Sequence, residues 1–170
     1  PDGQLKTLTD GKNQTTTWTR DVYGRVTQKT LANNQVAFQY YYDAEGRLTN
    51  RWSPGRTGSG VTTYYGYDVV GNLTNISYPT LTNSYQYDGL NRLTRMEDAI
   101  GTTAFSWSDG DQLQIENGPW FVDRVSYNIS ARQRTGLTLE QVGTNWTQSY
   151  AYDEYGRLGS TTSAAGSFTY

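Results

Sequence analysis

The sequence predicts an all-β protein in which tandem antiparallel β-hairpins form one curved, single-layer sheet. Three observations support this fold class. A seven-residue pattern recurs seven times in 170 residues, the residues before each copy alternate in polarity, and the spacing leaves no room for a long helix. Repetition at a nearly fixed period is the mark of a repeat architecture. The repetition therefore favours a structural scaffold over an enzyme.

The recurring pattern consists of an aromatic residue, a tight turn and an aliphatic residue. The clearest copies, Tyr42–Leu48 and Tyr152–Leu158, both read Tyr-Asp-x-x-Gly-Arg-Leu. The copies Tyr67–Leu73 and Tyr87–Leu93 each depart from that pattern at one position. Three degenerate copies begin at Arg20, Trp107 and Tyr127. The copies lie 20 to 25 residues apart, which accommodates two strands and two turns.

The turn chemistry explains two positions of the pattern. The first turn residue is a hydrogen-bond acceptor for the backbone two residues on. This position is occupied by Asp21, Asp43, Asp68, Asp88, Ser108, Asn128 and Asp153. The fourth turn residue must take a left-handed conformation, as in a type I turn followed by a bulge. This position is occupied by Gly24, Gly46, Gly71, Asn91, Asp111, Ala131 and Gly156. Because alanine tolerates positive φ poorly, the turn at Ala131 is predicted to be the most distorted.

Aromatic residues spaced two apart before each turn predict strands with one aromatic face. Tyr40 and Tyr42, like Tyr65 and Tyr67, fall on the same side of a strand because its side chains alternate. A lone hairpin is marginally stable, so neighbouring hairpins must pack their aromatic rows together. The tyrosines are therefore interpreted as packing residues. Longer connections are predicted at residues 53–60 and around residues 140–145.

The amino-acid composition argues against several classes of function. The apolar fraction is 35%, the aromatic fraction 14% and the mean hydropathy −0.75. These values are typical of a single-layer sheet whose tyrosine hydroxyls are exposed to solvent. The formal net charge of −2 provides no basic field for nucleic acid, and no apolar stretch is long enough to span a membrane. The chain has no cysteine and no histidine, so disulfides, thiol chemistry, the commonest general base and the usual zinc ligands are missing.

Carboxylates are the remaining candidates for catalysis. The close acidic pairs are Asp109 with Asp111 and Glu97 with Asp98, and both are interpreted as solvated turn residues. A glycosidase requires two carboxyl groups facing each other across a cleft, and the spacing predicts no such arrangement. We therefore expect no enzymatic activity, no cofactor and no metal.

The repeat resembles the YD repeat of the RHS family, which includes bacterial polymorphic-toxin shells, the C components of Tc insecticidal toxins and the animal teneurins. The resemblance covers nearly the whole chain, and the copies at Tyr42 and Tyr152 are more similar to bacterial repeats. In that family the repeats form a β-sheet that spirals into a hollow shell around a toxic C-terminal domain. The resemblance implies that residues 1–170 form a single repeat array, a fragment of shell wall. Its implied partners are flanking repeats and an enclosed C-terminal effector. Its implied location is secreted or at the bacterial cell surface, and cytoplasmic before export.

Both ends of the sequence are expected to lie inside repeats. Gly3–Leu5 resembles the second half of a copy, and Phe168–Tyr170 resembles a strand that leads into the next turn. Outer strands left unpaired would form open edges, through which the fragment could form homo-oligomers. Self-cleavage and toxin activity are expected to lie outside these residues.

An adhesion or carbohydrate-binding module is the alternative interpretation. Trp18, Trp52, Trp120 and Trp146 are candidate rings for stacking on sugars. Trp120 follows Gly118-Pro119, and Trp146 lies between Asn145 and Thr147, so these two rings are expected to be the most exposed.

Overall fold

The computed structural model describes residues 3–55 and 58–170. These residues form sixteen β-strands and no helix, and the order of the strands in the sheet is their order along the chain. The strands pair antiparallel, so each hairpin continues directly into the next. This confirms the predicted all-β class of tandem antiparallel hairpins.

The chain divides into two compact units, residues 1–84 and 85–170, with the division inside strand β8. The first eight strands are β1 (Thr7–Thr9), β2 (Thr15–Arg20), β3 (Val26–Thr30), β4 (Val36–Tyr42), β5 (Leu48–Ser53), β6 (Val61–Tyr67), β7 (Leu73–Ser77) and β8 (Thr82–Tyr87). The other eight are β9 (Leu93–Glu97), β10 (Thr102–Trp107), β11 (Leu113–Asn117), β12 (Val125–Ser130), β13 (Gln133–Leu139), β14 (Trp146–Tyr152), β15 (Leu158–Ser163) and β16 (Gly166–Thr169).

The two faces of the sheet in the first unit differ in composition. The aromatic face carries two rows in register, Trp18–Lys29–Phe38 and Tyr40–Arg51–Thr63. The polar face carries the row Tyr41–Asn50–Tyr64 and, beside it, Gln28–Gln39–Trp52. This alternation follows from the period of two along a strand. The polar face nevertheless carries the aromatic residues Tyr41, Tyr64 and Trp52, so the prediction of one aromatic face per strand holds only in part.

The second unit has the same division between faces. Tyr127 pairs with Leu137, and Trp146 with Leu139, so large apolar residues share one side. Small hydroxyl residues such as Ser126, Thr138 and Thr147 form a row on the other side.

No hydrophobic side chain among the described residues is fully buried. The buried residues are instead Gly136 and two threonines, Thr63 at 4% exposure and Thr161 at 7%. A two-layer domain would bury a core between its layers, whereas a single sheet leaves each face covered only by its own neighbouring side chains. The packing is therefore lateral, from strand to strand.

Two of the three longest connections fall where they were predicted, whereas the third, residues 118–124 between β11 and β12, was not predicted. Residues 54–60 join β5 to β6, and residues 140–145 join β13 to β14. Residues 56 and 57 of the first connection lie outside the described residues. Since the strands alternate in direction, the motif turns of each unit all lie at the same ends of its strands. We call this side of each unit the motif edge.

The sixth motif copy along the chain, Tyr127–Gln133, corrects one prediction. Asn128 does not open a turn but lies inside β12, where it pairs with Gly136. The turn is made three residues later by Ala131 and Arg132, at φ 48° and 66°. Positive φ at both central residues is the signature of a type I′ turn, which matches the twist of two-residue hairpins. The strands can therefore continue past Asn128, with a bulge between Asn128 and Ile129.

This strained turn predicts a stabilising substitution. Changing Ala131→Asn together with Arg132→Gly should raise the free energy of unfolding by about 1 kcal/mol, because both residues then suit positive φ. Urea unfolding followed by circular dichroism measures the gain. As a control, Ala44→Asn places the same side chain in a turn with ordinary φ and should change stability by less than about 0.5 kcal/mol. Equal effects of the two changes would contradict the prediction.

Candidate functional site

In six of the seven motif copies the turn is closed by one acceptor side chain. At Asp43, the Asp43 N–H donates to the Arg47 carbonyl at 3.0 Å, and the Gly46 N–H donates to the Asp43 carbonyl at 3.1 Å. The Arg47 N–H donates to Asp43 Oδ1 at 2.8 Å. The same three bonds form at Asp21, Asp68, Asp88, Ser108 and Asp153.

The fourth turn position has positive φ throughout this set. The glycines Gly24, Gly46, Gly71 and Gly156 have φ between 78° and 98°. Asn91 and Asp111 stand in the same position at φ 62° and 64°. The strand register also shifts beside these turns, for example between Tyr41 and Tyr42, as a type I turn followed by a bulge requires.

The left-handed conformation predicts a difference between two turn glycines. Gly71, at φ 98°, and Gly11 both have open space where a Cβ would lie, but only Gly71 has positive φ. Gly71→Ala should destabilise the protein by about 1–2 kcal/mol. Gly11→Ala should be neutral or stabilise it by less than about 1 kcal/mol. Thermal unfolding of the two variants measures the difference, and similar losses at both positions would contradict it.

The fifth turn residue links one hairpin of the first unit to the next. Arg25 Nε contacts Asp21 Oδ2 at 2.7 Å, and Arg25 Nη1 donates to the Asp43 carbonyl at 3.3 Å. The Arg25 guanidinium also lies 4.7 Å from the centre of the Tyr42 ring. One side chain thus binds its own turn, the next turn and the next aromatic residue.

Arg47 repeats the arrangement one hairpin further along the first unit. It contacts Asp43 Oδ2 at 2.7 Å, donates to the Asp68 carbonyl at 3.2 Å and lies 4.9 Å from the centre of the Tyr67 ring. We call this series of aspartates, fifth-position residues and aromatic rings the turn ladder.

The aromatic residues of the ladder bind back to the preceding hairpin. Tyr42 donates its hydroxyl proton to the Val26 carbonyl at 2.8 Å, and Tyr67 donates to the Leu48 carbonyl at 2.9 Å. Burial raises the pKa of both phenols, so they stay protonated as donors. Neighbouring hairpins are therefore fastened by an arginine in one direction and a tyrosine in the other.

The second unit builds the ladder with more varied residues. Arg92 contacts Asp88 at 2.7 Å, donates to the Ser108 carbonyl at 3.0 Å and lies 5.7 Å from the centre of the Trp107 ring. Trp107 Nε1 donates to the Leu93 carbonyl at 2.8 Å, as the tyrosines do in the first unit.

Glutamine amides take over the donor role further along the second unit. Gln112 Nε2 donates to the Arg132 carbonyl, and Gln133 Nε2 donates to the Gly156 carbonyl at 3.2 Å. A neutral amide can replace the guanidinium because the acceptor on the next hairpin is a backbone carbonyl.

Hydrogen bonds hold the pKa of the ladder carboxylates below its ordinary value. For Asp43, desolvation acts to raise the pKa, but the bonds from the Arg47 side chain and backbone outweigh it. For Asp88, the Arg92 guanidinium is the largest cause of the lowered pKa. The pKa is also lowered at Asp21, Asp68 and Asp153. The aspartates of the ladder are thus fully ionised at neutral pH.

Sequence reasoning missed two parts of this arrangement. It assigned no role to the arginines of the pattern, although each stands four residues after its aspartate. It also overlooked the turn Asp10–Asn13, in which Asp10 Oδ1 accepts from the Lys12 and Gln14 N–H groups and Asn13 has φ 64°. The order Asp-x-x-Asn was the available signal.

The candidate sugar-stacking residues do not share one environment. Trp120 is 64% exposed, in the connection between β11 and β12, beside Phe121 at 96%. Trp146 is partly buried in β14, where it pairs with Leu139. The structure does not bring the two rings into one row of the sheet.

Neither a metal centre nor a membrane helix occurs among residues 3–55 and 58–170. No group of three or more carboxylates lies close enough there to hold a metal ion. No helix that could cross a membrane is present in this part of the chain.

Comparison with solved structures shows the fold. The chain is similar to a crystal structure of TcdB2-TccC3 without its hypervariable C-terminal region, with a TM-score of 0.73 and 16% identity over 92% of this chain. The TcdB2-TccC3 crystal structure matches with the same TM-score and 17% identity over 92%. A Tc holotoxin pore from Photorhabdus luminescens matches with a TM-score of 0.71 and 17% identity over 91%. This chain spans only 9–10% of the length of those chains.

Comparison of sequences shows the family. No curated protein sequence matches the chain. The family model described as the teneurin YD-shell, however, matches residues 5–107, well over half of the chain. The four motif copies that begin at Arg20, Tyr42, Tyr67 and Tyr87 fall within the matched residues. The chain therefore belongs to the teneurin YD-shell family of RHS/YD-repeat proteins.

Proposed function

We propose that this chain is a structural wall segment of a β-shell that encloses a C-terminal toxin or effector and helps to deliver it. The observation that supports this role is the turn ladder, in which Arg25, Arg47 and Arg92 each bind the backbone of the next hairpin. Such a ladder extends a sheet hairpin by hairpin without needing a second layer. Flanking repeats would continue it beside the edge strands β1 and β16.

The same arrangement supports a role without catalysis. The ladder carboxylates are occupied by backbone N–H groups and arginines, so they are not available as acids or bases. On this proposal the toxic activity belongs to the enclosed domain, and the whole protein is secreted by a bacterium or held at its surface. If copies of the isolated segment associate, we expect them to pair through the edge strands β1 and β16.

Protease protection tests the enclosure. The longer protein that carries these repeats would be labelled with an epitope in its C-terminal region and treated with a protease. We expect the epitope to be protected, and protection to be lost when Asp21, Asp43 and Asp68 are all replaced by alanine. A Glu154→Ala variant serves as the charge control and should remain protected. An epitope that is digested rapidly in the unmodified protein would contradict enclosure.

Carbohydrate binding is the second candidate function, and the exposure of Trp120 beside Phe121 favours it. Exposed aromatic rings provide flat stacking surfaces. A glycan array probed with the 170-residue chain should then show binding that Trp120→Ala abolishes and that Trp146→Ala, at a partly buried ring, changes less. Absence of binding to any glycan would exclude this candidate.

A further inference from the structure

Two cations on the aromatic face of the first unit have no carboxylate partner in the part of the chain that the structure describes. Lys29 Nζ lies 5.6 Å from the centre of the Trp18 ring, and the Arg51 guanidinium lies 5.5 Å from the centre of the Phe38 ring. Arg51 Nε is buried without a hydrogen-bond acceptor among the described residues. A buried donor without a partner costs free energy, so its presence calls for a ligand or another explanation.

The arginines at the motif edge of the same unit, in contrast, have carboxylate partners. There, Arg25 and Arg47 each contact an aspartate at 2.7 Å. The acids among the described residues of this unit lie in turns, since strands β1–β8 contain no aspartate and no glutamate. The strand surface around Lys29 and Arg51 is therefore locally positive, although the whole chain has a net charge of −2.

The positions of the two cations define a patch. Lys29 pairs with Phe38, and Arg51 pairs with Tyr40, so the two cations lie on either side of strand β4. The Phe38 and Tyr40 rings are 6.1 Å apart and form an apolar surface between them. Two strand spacings separate β3 from β5, which is about 10 Å. An extended peptide covers that distance in about three residues.

We propose that this patch binds an acidic, extended segment of polypeptide. Carboxylates of the segment would pair with Lys29 and Arg51, and its apolar side chains would cover Phe38 and Tyr40. The inference deepens the proposed function and rests on it, because it names the chemistry of the enclosed chain that touches this part of the wall. A sulfated glycan fits less well, since only two cations flank a surface of aromatic rings.

Peptide titration of the 170-residue chain tests the proposal. Isothermal titration calorimetry would compare a synthetic peptide of alternating Asp and Leu with its Lys and Leu counterpart, and with heparin. We expect binding of the acidic peptide, weakened when salt is raised from about 0.1 M to about 1 M. Arg51→Gln and Lys29→Gln should each reduce the affinity roughly tenfold. Lys12→Gln, which removes a cation from an exposed turn, should leave the affinity unchanged.

Three results would overturn the inference: equal binding of the acidic and basic peptides, stronger binding of heparin, or unchanged affinity in both patch variants. Circular dichroism would show that the variants remain folded, as expected because neither side chain has an ion-pair partner to lose. The test is separable from the enclosure test. A protected epitope without acidic-peptide binding would remove only this inference, whereas peptide binding without protection would remove the shell role.

Discussion

Replacing Tyr67 by alanine is expected to lower the free energy of unfolding by about 2 kcal/mol. The Tyr67 ring packs 4.9 Å from the Arg47 guanidinium, and its hydroxyl donates to the Leu48 carbonyl at 2.9 Å. Truncation of a fully buried aromatic ring costs about 3–5 kcal/mol, and this ring is only partly buried. The substitution removes both of these contacts of the Tyr67 side chain, so the loss should be at least as large as that of Gly71→Ala.

Urea unfolding measures this loss, and two further variants separate its causes. Tyr67→Phe removes only the hydrogen bond and should cost about 1 kcal/mol. Tyr64→Ala removes a ring from the polar face of the same strand, where the side chain is 52% exposed, and should cost less than about 1 kcal/mol. Equal losses at positions 64 and 67 would show that the ladder rings have no special role.

The hairpins could be predicted from the sequence because their determinants are local. Asp43 and Gly46 are three residues apart, and each acts on backbone atoms of the same turn. Even the substitution of Asn91 for glycine follows from its tolerance of positive φ. Short-range chemistry of this kind is visible in a seven-residue pattern.

The links between hairpins could not be predicted in the same way. The carbonyl that accepts from Arg25 belongs to Asp43, eighteen residues later, and nothing in the letter sequence identifies a backbone atom as a partner. The same limit applies to the cationic patch. Lys29 and Arg51 flank one strand only because of the register of β3, β4 and β5.

The turn after β12 shows a third limit. Both a type I turn with a bulge at Asn128 and a two-residue turn at Ala131 are compatible with that copy of the pattern. The outcome depends on strand pairing, because the longer strands gain the pairs Ile129–Arg134 and Ser130–Gln133. These pairs offset the positive φ imposed on Ala131 and Arg132. Pattern matching could identify the strain at Ala131 but not the displacement of the turn.

Acid is expected to destabilise the whole array, because five ladder aspartates have a lowered pKa in the folded protein. An unfolded aspartate titrates near pH 3.9, so the folded state binds fewer protons than the unfolded state below about pH 5. Stability from these groups is therefore complete above that range. It is lost as the pH falls through the lower pKa values of the folded state.

Urea unfolding at a series of pH values from about 7 to about 2 should show this loss directly. In Asp43→Asn, the turn hydrogen bonds to Oδ1 remain possible, but the ion pair with Arg47 is removed. This variant should be less stable at neutral pH and should lose less stability in acid, since one group with a lowered pKa is gone. Glu154→Gln removes an exposed carboxylate beside the ladder and should reproduce the acid dependence of the unmodified protein. If Asp43→Asn also kept that dependence unchanged, the charge of Asp43 would contribute nothing to holding the hairpins together.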